Sequence, residues 1–496
     1  MSRLIGPLLQ LLGLLPLATV ALPSSSTGSV CDILNSRFPG SVSYSGDPIY
    51  TASVSSYYSG FERALSPSCI FRPTSTAEVS EFVHLVSVNA SLQFTIRGGG
   101  HTLFTGAANI DGGITVDMRA MNALALSDDH RIASVGGGSI FSDLYPQLVP
   151  HNLTVMGGRV PGIGIGGFTT GGGLNFLSRK HGFSCDNIYG YEVVLANGSV
   201  VYASASSHRD LWLALKGGSN NFGIVTRFDL ATFPQGLMWG GLVLFNYTDH
   251  QTINAQAQAF SEFMDPANFD SAADMGLILN FADGSFSIGN SLFYTEPVAY
   301  PPVYRPFTSL PSPILDDLGF NNVSGMVAKF GDSLPSRLNR VTELVYSFKN
   351  ANATIYKHLF QIWEDGCTSL VEAGISGLQV QYLLQPQPVT NGTNSLGQAP
   401  GETDIVIGLA TVAYDNASDD NTAMIGLQTM VNAQEAILQR AGLYIPFKYL
   451  NYADKSQDPF GSYGKANKAR VEDVSRRYDP QQMFQRQVPG GFKLFA

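Results

Sequence analysis

Three glycine clusters stand close together in this chain: Arg97-Gly98-Gly99-Gly100-His101, Gly136-Gly137-Gly138, and the run from Gly157 to Gly173. Glycine lets a backbone take positive φ and approach a ligand with no Cβ in between. Successive N–H groups in such loops form concave donors suited to phosphate. A single Gly-Gly is adequately explained as a tight turn, but three clusters within a short stretch point to a dinucleotide site. The cradle is neither of the two commonest kinds. Gly162-Ile163-Gly164-Ile165-Gly166-Gly167 matches the spacing of a Rossmann fingerprint, yet Pro161 precedes it and no clean strand leads into it. No Gly-Lys-Ser/Thr occurs in such a loop, so a Walker A motif is absent. His101, closing the first cluster, is the one residue there with nucleophilic chemistry.

The elements that must position these loops read as α/β. Ser75 caps a helix to Ser87 that places Val79, Phe82, Val83 and Val86 on one face. Leu92 to Ile96 is a strand running into the triple glycine, and Ile114–Met118 and Ile132–Val135 are further strands beside glycine. Ser139 to Leu148 reads as a helix, and Val193 to Leu195 as a strand entering the Asn197-Gly198 turn. The α/β region ends near Phe233-Pro234. Beyond it, alternating runs at Trp239–Asn246, Met275–Asn280 and Ser285–Phe293 predict an antiparallel sheet with one face buried. Helices are expected at Ile253–Met264, Leu338–Asn350 and Asp419–Gly442, a strand at Ile405–Tyr414, and a long loop over Gln385–Thr403.

Bulk properties narrow the class. The chain of 496 residues exceeds one core and suits two domains, or one large domain carrying an insertion. A net charge of −10 with no basic stripe argues against a nucleic-acid partner. Arg3 followed by the leucine-rich stretch Leu4–Val20, interrupted by Pro7 and Pro16, reads as a signal peptide over residues 1–21, not a membrane span. Eight N-glycosylation sequons, at Asn89, Asn152, Asn197, Asn246, Asn322, Asn352, Asn391 and Asn416, agree with a secreted, N-glycosylated protein. No cysteine pair has zinc-ligand spacing, so no metal site is expected. In an oxidising compartment Cys31 and Cys69 are expected to join, with Cys185 a buried free thiol.

The first and third glycine clusters, together with Gly217-Gly218-Ser219-Asn220-Asn221-Phe222-Gly223-Ile224-Val225-Thr226, closely resemble the FAD-binding domain of the vanillyl-alcohol oxidase superfamily. The tail, Tyr449-Leu450-Asn451-Tyr452-Ala453-Asp454 and Tyr478-Asp479-Pro480-Gln481-Gln482-Met483-Phe484, resembles the end of berberine bridge enzyme-like oxidoreductases, and Gln385-Pro386-Gln387-Pro388 with Asn394-Ser395-Leu396-Gly397 is similar to fungal members. The resemblance covers nearly everything from Cys31 onward. It implies an α+β fold: a PCMH-type FAD-binding domain of two α/β subdomains over residues 27–237, a substrate domain with an antiparallel sheet flanked by helices over 238–445, and a segment, 446–496, returning to the first domain.

The resemblance further implies FAD bound covalently through His101, whose imidazole bonds to the flavin 8-methyl carbon. Relatives often add a cysteinyl link, but Val160 stands at that position in Gly158-Arg159-Val160-Pro161, so His101 is expected to be the only tether. Carried over residue by residue, the cofactor contacts fall on Arg97, Gly98, Gly99, Gly100, Thr102, Gly106, Gly158, Val160, Ile163, Gly164, Gly167, Gly171, Gly172, Asn187, Gly223, Val225 and Asn451. Ile163 matches a position controlling dioxygen access. Tyr449 is the first candidate for a proton-accepting base, with Asn451 and Tyr452 beside it and Glu364 and Asp365 as weaker candidates. The implied activity is hydride abstraction from a small organic substrate, a secondary-metabolite intermediate, with dioxygen as acceptor and the protein a monomer. A carbohydrate oxidase is the first alternative; a flavin-containing cyclase or a non-redox binding protein is the alternative of another class.

Overall fold

A computed structural model describes residues 27–247, 250–335 and 337–495. The expected signal peptide lies outside the described residues. Among the described residues the strands form three sheets. The first has Val42–Ser43, Cys69–Phe71, Ile114–Asp117 and Phe94–Arg97 in that order, the last three parallel. Its helix, Thr76–Ser87, begins as the sequence predicts: the Ser75 side chain accepts from the Glu78 N–H, and Val79, Phe82, Val83 and Val86 are fully buried. Cys31 and Cys69 form a disulfide that fastens the first helix, Thr27–Arg37, to this sheet. Cys185 and Cys367 are free and buried.

The second sheet is antiparallel, ordered Leu124–Leu126, Ile132–Gly136, Ile224–Pro234, Ile188–Val194 and Val200–Ser204. The third, larger sheet follows in the chain and carries the strands Met238–Asn246, Ala273–Ala282, Ser285–Tyr294, Arg340–Lys349, Gln379–Pro386 and Ile405–Tyr414. Residues Phe245, Leu277, Leu279, Tyr382, Leu384, Ala410 and Val412 turn one face of it toward the helices His250–Phe263, Ala353–Glu372 and Asp420–Arg440, forming one continuous apolar core. This is the α+β architecture expected.

Two local expectations are corrected. Leu338–Asn350 is not a helix: Arg340–Lys349 is a strand paired with Ile405–Tyr414 along its whole length. Val341, Leu344, Val345 and Phe348 do have helical spacing, but both faces of the strand are buried, so its apolar residues cannot alternate. The Gln385–Thr403 loop starts later, because Gln385 and Pro386 complete the strand Gln379–Pro386. Glu364 and Asp365 lie on the helix Ala353–Glu372, behind the large sheet and remote from the glycine clusters.

Candidate functional site

The glycine clusters come together by backbone contact. A Cβ on Gly164 would lie 2.1 Å from the Gly99 nitrogen, and one on Gly99 would lie 2.4 Å from the Gly164 nitrogen. No side chain fits between these segments. Phe141 donates its N–H to the Ile163 carbonyl and Gly137 donates to Thr226, which ties the other loops to the same spot. Gly98, Gly166 and Gly167 have no neighbour closer than 3.6 Å to a built Cβ and face a cavity of about 460 Å³. This is backbone left bare along a cleft, the arrangement a dinucleotide requires.

His101 stands in the cavity wall, stacked on Tyr58 with ring centroids 4.0 Å apart and planes 13° from parallel. Burial pushes its imidazole down to about 4, so the ring is neutral at physiological pH. The Tyr58 N–H donates to the Gly100 carbonyl, fixing the loop that carries His101. Glu62 supports the next turn: its carboxylate accepts from the N–H groups of Ala107 and Ala108. Burial lifts that carboxyl to about 7.

The other side of the cavity is the free face of the large sheet. Strand register aligns Glu343, Thr411, Gln381 and Asn280 in one cross-strand row. Two residues along, Leu409, Leu383 and Ile278 make an apolar row. Both rows line the cavity. Between the two walls lies the tail. Tyr449 is buried, and its hydroxyl oxygen accepts from the Gly173 N–H at 2.9 Å and from Asn451 Nδ2 at 3.1 Å. Burial holds the Tyr449 phenol far above its ordinary value. Tyr452 is half-buried at the cavity, and its hydroxyl accepts from Arg159 Nη2 at 3.3 Å. Arg159 also donates to Gln385 at 2.6 Å and pairs with the buried Asp274 at 3.2 Å.

Most residues named from sequence meet here. His101, Gly98, Gly99, Gly100, Thr102, Gly158, Val160, Ile163, Gly164, Gly167, Gly223, Val225, Tyr449, Asn451 and Tyr452 all line the cavity. Five others stand behind it. Arg97 is fully buried beneath the loop, donating to Ser53 and Ser56 with its guanidinium 3.6 Å from the Tyr57 ring centroid. Gly171 and Gly172 pack on Asn451 and Tyr449, and Gly106 sits in the turn against Gly490. The Asn187 side chain donates to the carbonyls of His181 and Phe183. Sequence reasoning missed Tyr58, Arg159 as a cavity residue, and the whole Glu343 row. The row was hidden because its outermost strand has helical apolar spacing.

The comparisons agree with this geometry. Residues 67–204 match the family model of an FAD binding domain. FAD-dependent monooxygenase tpcD of Cochliobolus heterostrophus is 34% identical, covering 87% of this chain and 86% of that protein. FAD-dependent monooxygenase CTB5 of Cercospora beticola is 35% identical, covering 95% and 92%. Among solved structures, 6-hydroxy-D-nicotine oxidase of Arthrobacter nicotinovorans superposes with a TM-score of 0.73 at 21% identity, covering 94% of this chain and 98% of that one. Glucooligosaccharide oxidase of Acremonium strictum, described with 6-S-cysteinyl, 8α-N1-histidyl FAD, gives 0.73 at 17% identity, covering 95% and 100%. Fold and site define an FAD-dependent oxidoreductase. The chain belongs to the family of its fungal FAD-dependent monooxygenase relatives, which it matches over most of its length.

Proposed function

We propose that this protein oxidises a small organic substrate, an intermediate of secondary metabolism, with dioxygen as the final electron acceptor. FAD, when bound, supplies the hydride-accepting ring system. The observation that carries the reading is the two-walled cavity, with bare glycine backbone and a neutral imidazole on one side and a mixed polar and apolar sheet face on the other. His101 is the residue that holds the cofactor covalently: stacked on Tyr58 and uncharged, its imidazole is a competent nucleophile. Val160 offers no sulfur for a second bond. The glycine loops would hold the cofactor's phosphates through their N–H groups, and Val160 and Ile163 line the same cavity.

For the base, the geometry favours Tyr452 over Tyr449. The Tyr449 oxygen already accepts two hydrogen bonds, and burial holds its proton in place. Tyr452 faces the cavity, and its hydroxyl accepts a hydrogen bond from the Arg159 guanidinium. Asn451, bonded to the Phe168 carbonyl, holds the tail against the third glycine cluster. Entry into the secretory pathway fits the disulfide, and none of the eight sequon asparagines is buried, so each is open to glycan attachment.

The test is anaerobic mixing of holoenzyme with a panel of hydroxylated aromatics and oligosaccharides. Bleaching of the flavin band by the aromatics, followed by recovery and peroxide formation on aeration, is the expected outcome. Bleaching by oligosaccharides alone would transfer the protein to the carbohydrate oxidases. A flavin that stays oxidised throughout while a substrate skeleton changes would support a cyclase. Tyr452→Phe should then lower turnover far more than Tyr449→Phe.

A further inference from the structure

The Glu343 row has chemistry that the proposed oxidation does not by itself require. Adjacent strands lie ~4.8 Å apart, so the four aligned residues span roughly 14 Å across the sheet. Gln381 donates to Asn280 Oδ1 at 3.1 Å, which leaves the Gln381 carbonyl oxygen and the Asn280 amide hydrogens available to the cavity. The Thr411 hydroxyl and the Glu343 carboxyl have no hydrogen-bond or ion-pair partner among the described residues. Glu343 is only 8% exposed, and the carboxyl lies near Asp454 and Tyr58 with no cation beside it. A buried carboxyl left unpaired costs several kcal/mol if ionised, and both burial and the Asp454 charge hold its proton on. In that form it is a donor and an acceptor at once.

Beside this row runs the apolar one, Leu409, Leu383 and Ile278. We infer that the cavity takes an elongated aromatic substrate with oxygen functions along one edge, that edge lying on the row Glu343, Thr411, Gln381 and Asn280 and the carbon skeleton on Leu383 and Leu409, with the unpartnered Glu343 carboxyl reading a substrate oxygen. A sugar chain, with hydroxyls around every edge of its rings, would bury some of them against the leucines. A protonated amine would need Glu343 charged. This inference rests on the proposed function, because it places the substrate in the same cavity.

Binding to the holoenzyme, read as displacement of the flavin absorption band, tests it without turnover. The probes are naphthalene-1,3-diol, 1-naphthylmethylamine and cellobiose. The diol is expected to bind at least roughly tenfold more tightly than the other two, the scale of one or two hydrogen bonds. Glu343→Gln, which keeps a donor and an acceptor, should stay within about threefold of wild type for the diol, whereas Glu343→Leu should weaken it about tenfold. Thr411→Val should weaken the diol severalfold and decides the matter if Glu343→Leu fails to retain flavin. Tightest binding by the amine, lost in Glu343→Gln, would overturn the inference in favour of a cationic ligand. Preference for cellobiose, or diol binding indifferent to all three substitutions, would overturn it as well. The proposed function fails separately, by a flavin that no substrate reduces, even where the order of binding among variants holds.

Discussion

The neutral state of His101 should set the pH dependence of flavin attachment. If the imidazole bonds to the flavin, only its unprotonated form is nucleophilic. With its value near 4, about 97% of the ring is neutral at pH 5.5; an ordinary histidine near 6.5 would be about 9% neutral there. Between pH 7.5 and 5.5 the attachment rate should therefore stay nearly constant, where an exposed histidine would lose about tenfold. The cause is burial, and Tyr58 covers one whole face of the ring. Tyr58→Ala should return water to the imidazole and lower the rate at pH 5.5 severalfold, with a change within about twofold at pH 7.5. The assay uses apoprotein from riboflavin-starved cells, mixed with FAD, quenched in acid and read as in-gel flavin fluorescence. A rate that falls by half near pH 6.5 in wild type, or an identical profile in Tyr58→Ala, would refute the reasoning.

Gly164→Ala should abolish flavin incorporation, measured as the ratio of visible to ultraviolet absorbance, because its Cβ would meet the Gly99 nitrogen at 2.1 Å and both loops are held by backbone bonds. The same change at Gly319, which has open space around it, should leave incorporation unaltered. Replacing Cys31 and Cys69 by serine frees a loop with a sequence separation of 38 and should cost about 4 kcal/mol by the chain-entropy model, seen as a lower denaturation midpoint. Glu62, raised from about 4.5 to about 7 in the fold, binds more protons folded than unfolded across that window. Its contribution is greatest below pH 4.5 and is lost as pH rises to 7, by about 3 kcal/mol. The stability difference between wild type and Glu62→Gln should accordingly change across pH 4.5–7 in chemical denaturation, and a difference independent of pH would contradict this.

The cofactor side of the molecule was legible because its signals are local. Ser75 with its apolar stripe announces a capped helix, and the glycine clusters mark where backbones must touch, as Gly99 and Gly164 do. The substrate side was less so. Glu343 occupies a strand buried on both faces, where alternation vanishes and the apolar spacing imitates a helix. Its neighbours in the row come from strands far apart in sequence, Asn280, Gln381 and Thr411, and only register brings them together. Arg97 shows the converse arrangement. It sits inside the most telling motif, yet its side chain turns inward under Tyr57, because a loop that presents bare backbone to a ligand needs an anchor beneath it. Tyr449 reads as chemistry in sequence; in the fold its hydroxyl accepts from the Gly173 N–H and Asn451, while Tyr452, three residues on, accepts from Arg159 at the same cavity.

Flavin retention after trichloroacetic acid precipitation tests most directly whether His101 alone tethers the flavin. Wild type should precipitate yellow, with a flavin-modified peptide containing His101 in the mass spectrum and none containing Val160. His101→Ala should release all of its flavin to the supernatant. Flavin released from wild type, or retained by His101→Ala, would contradict the claim.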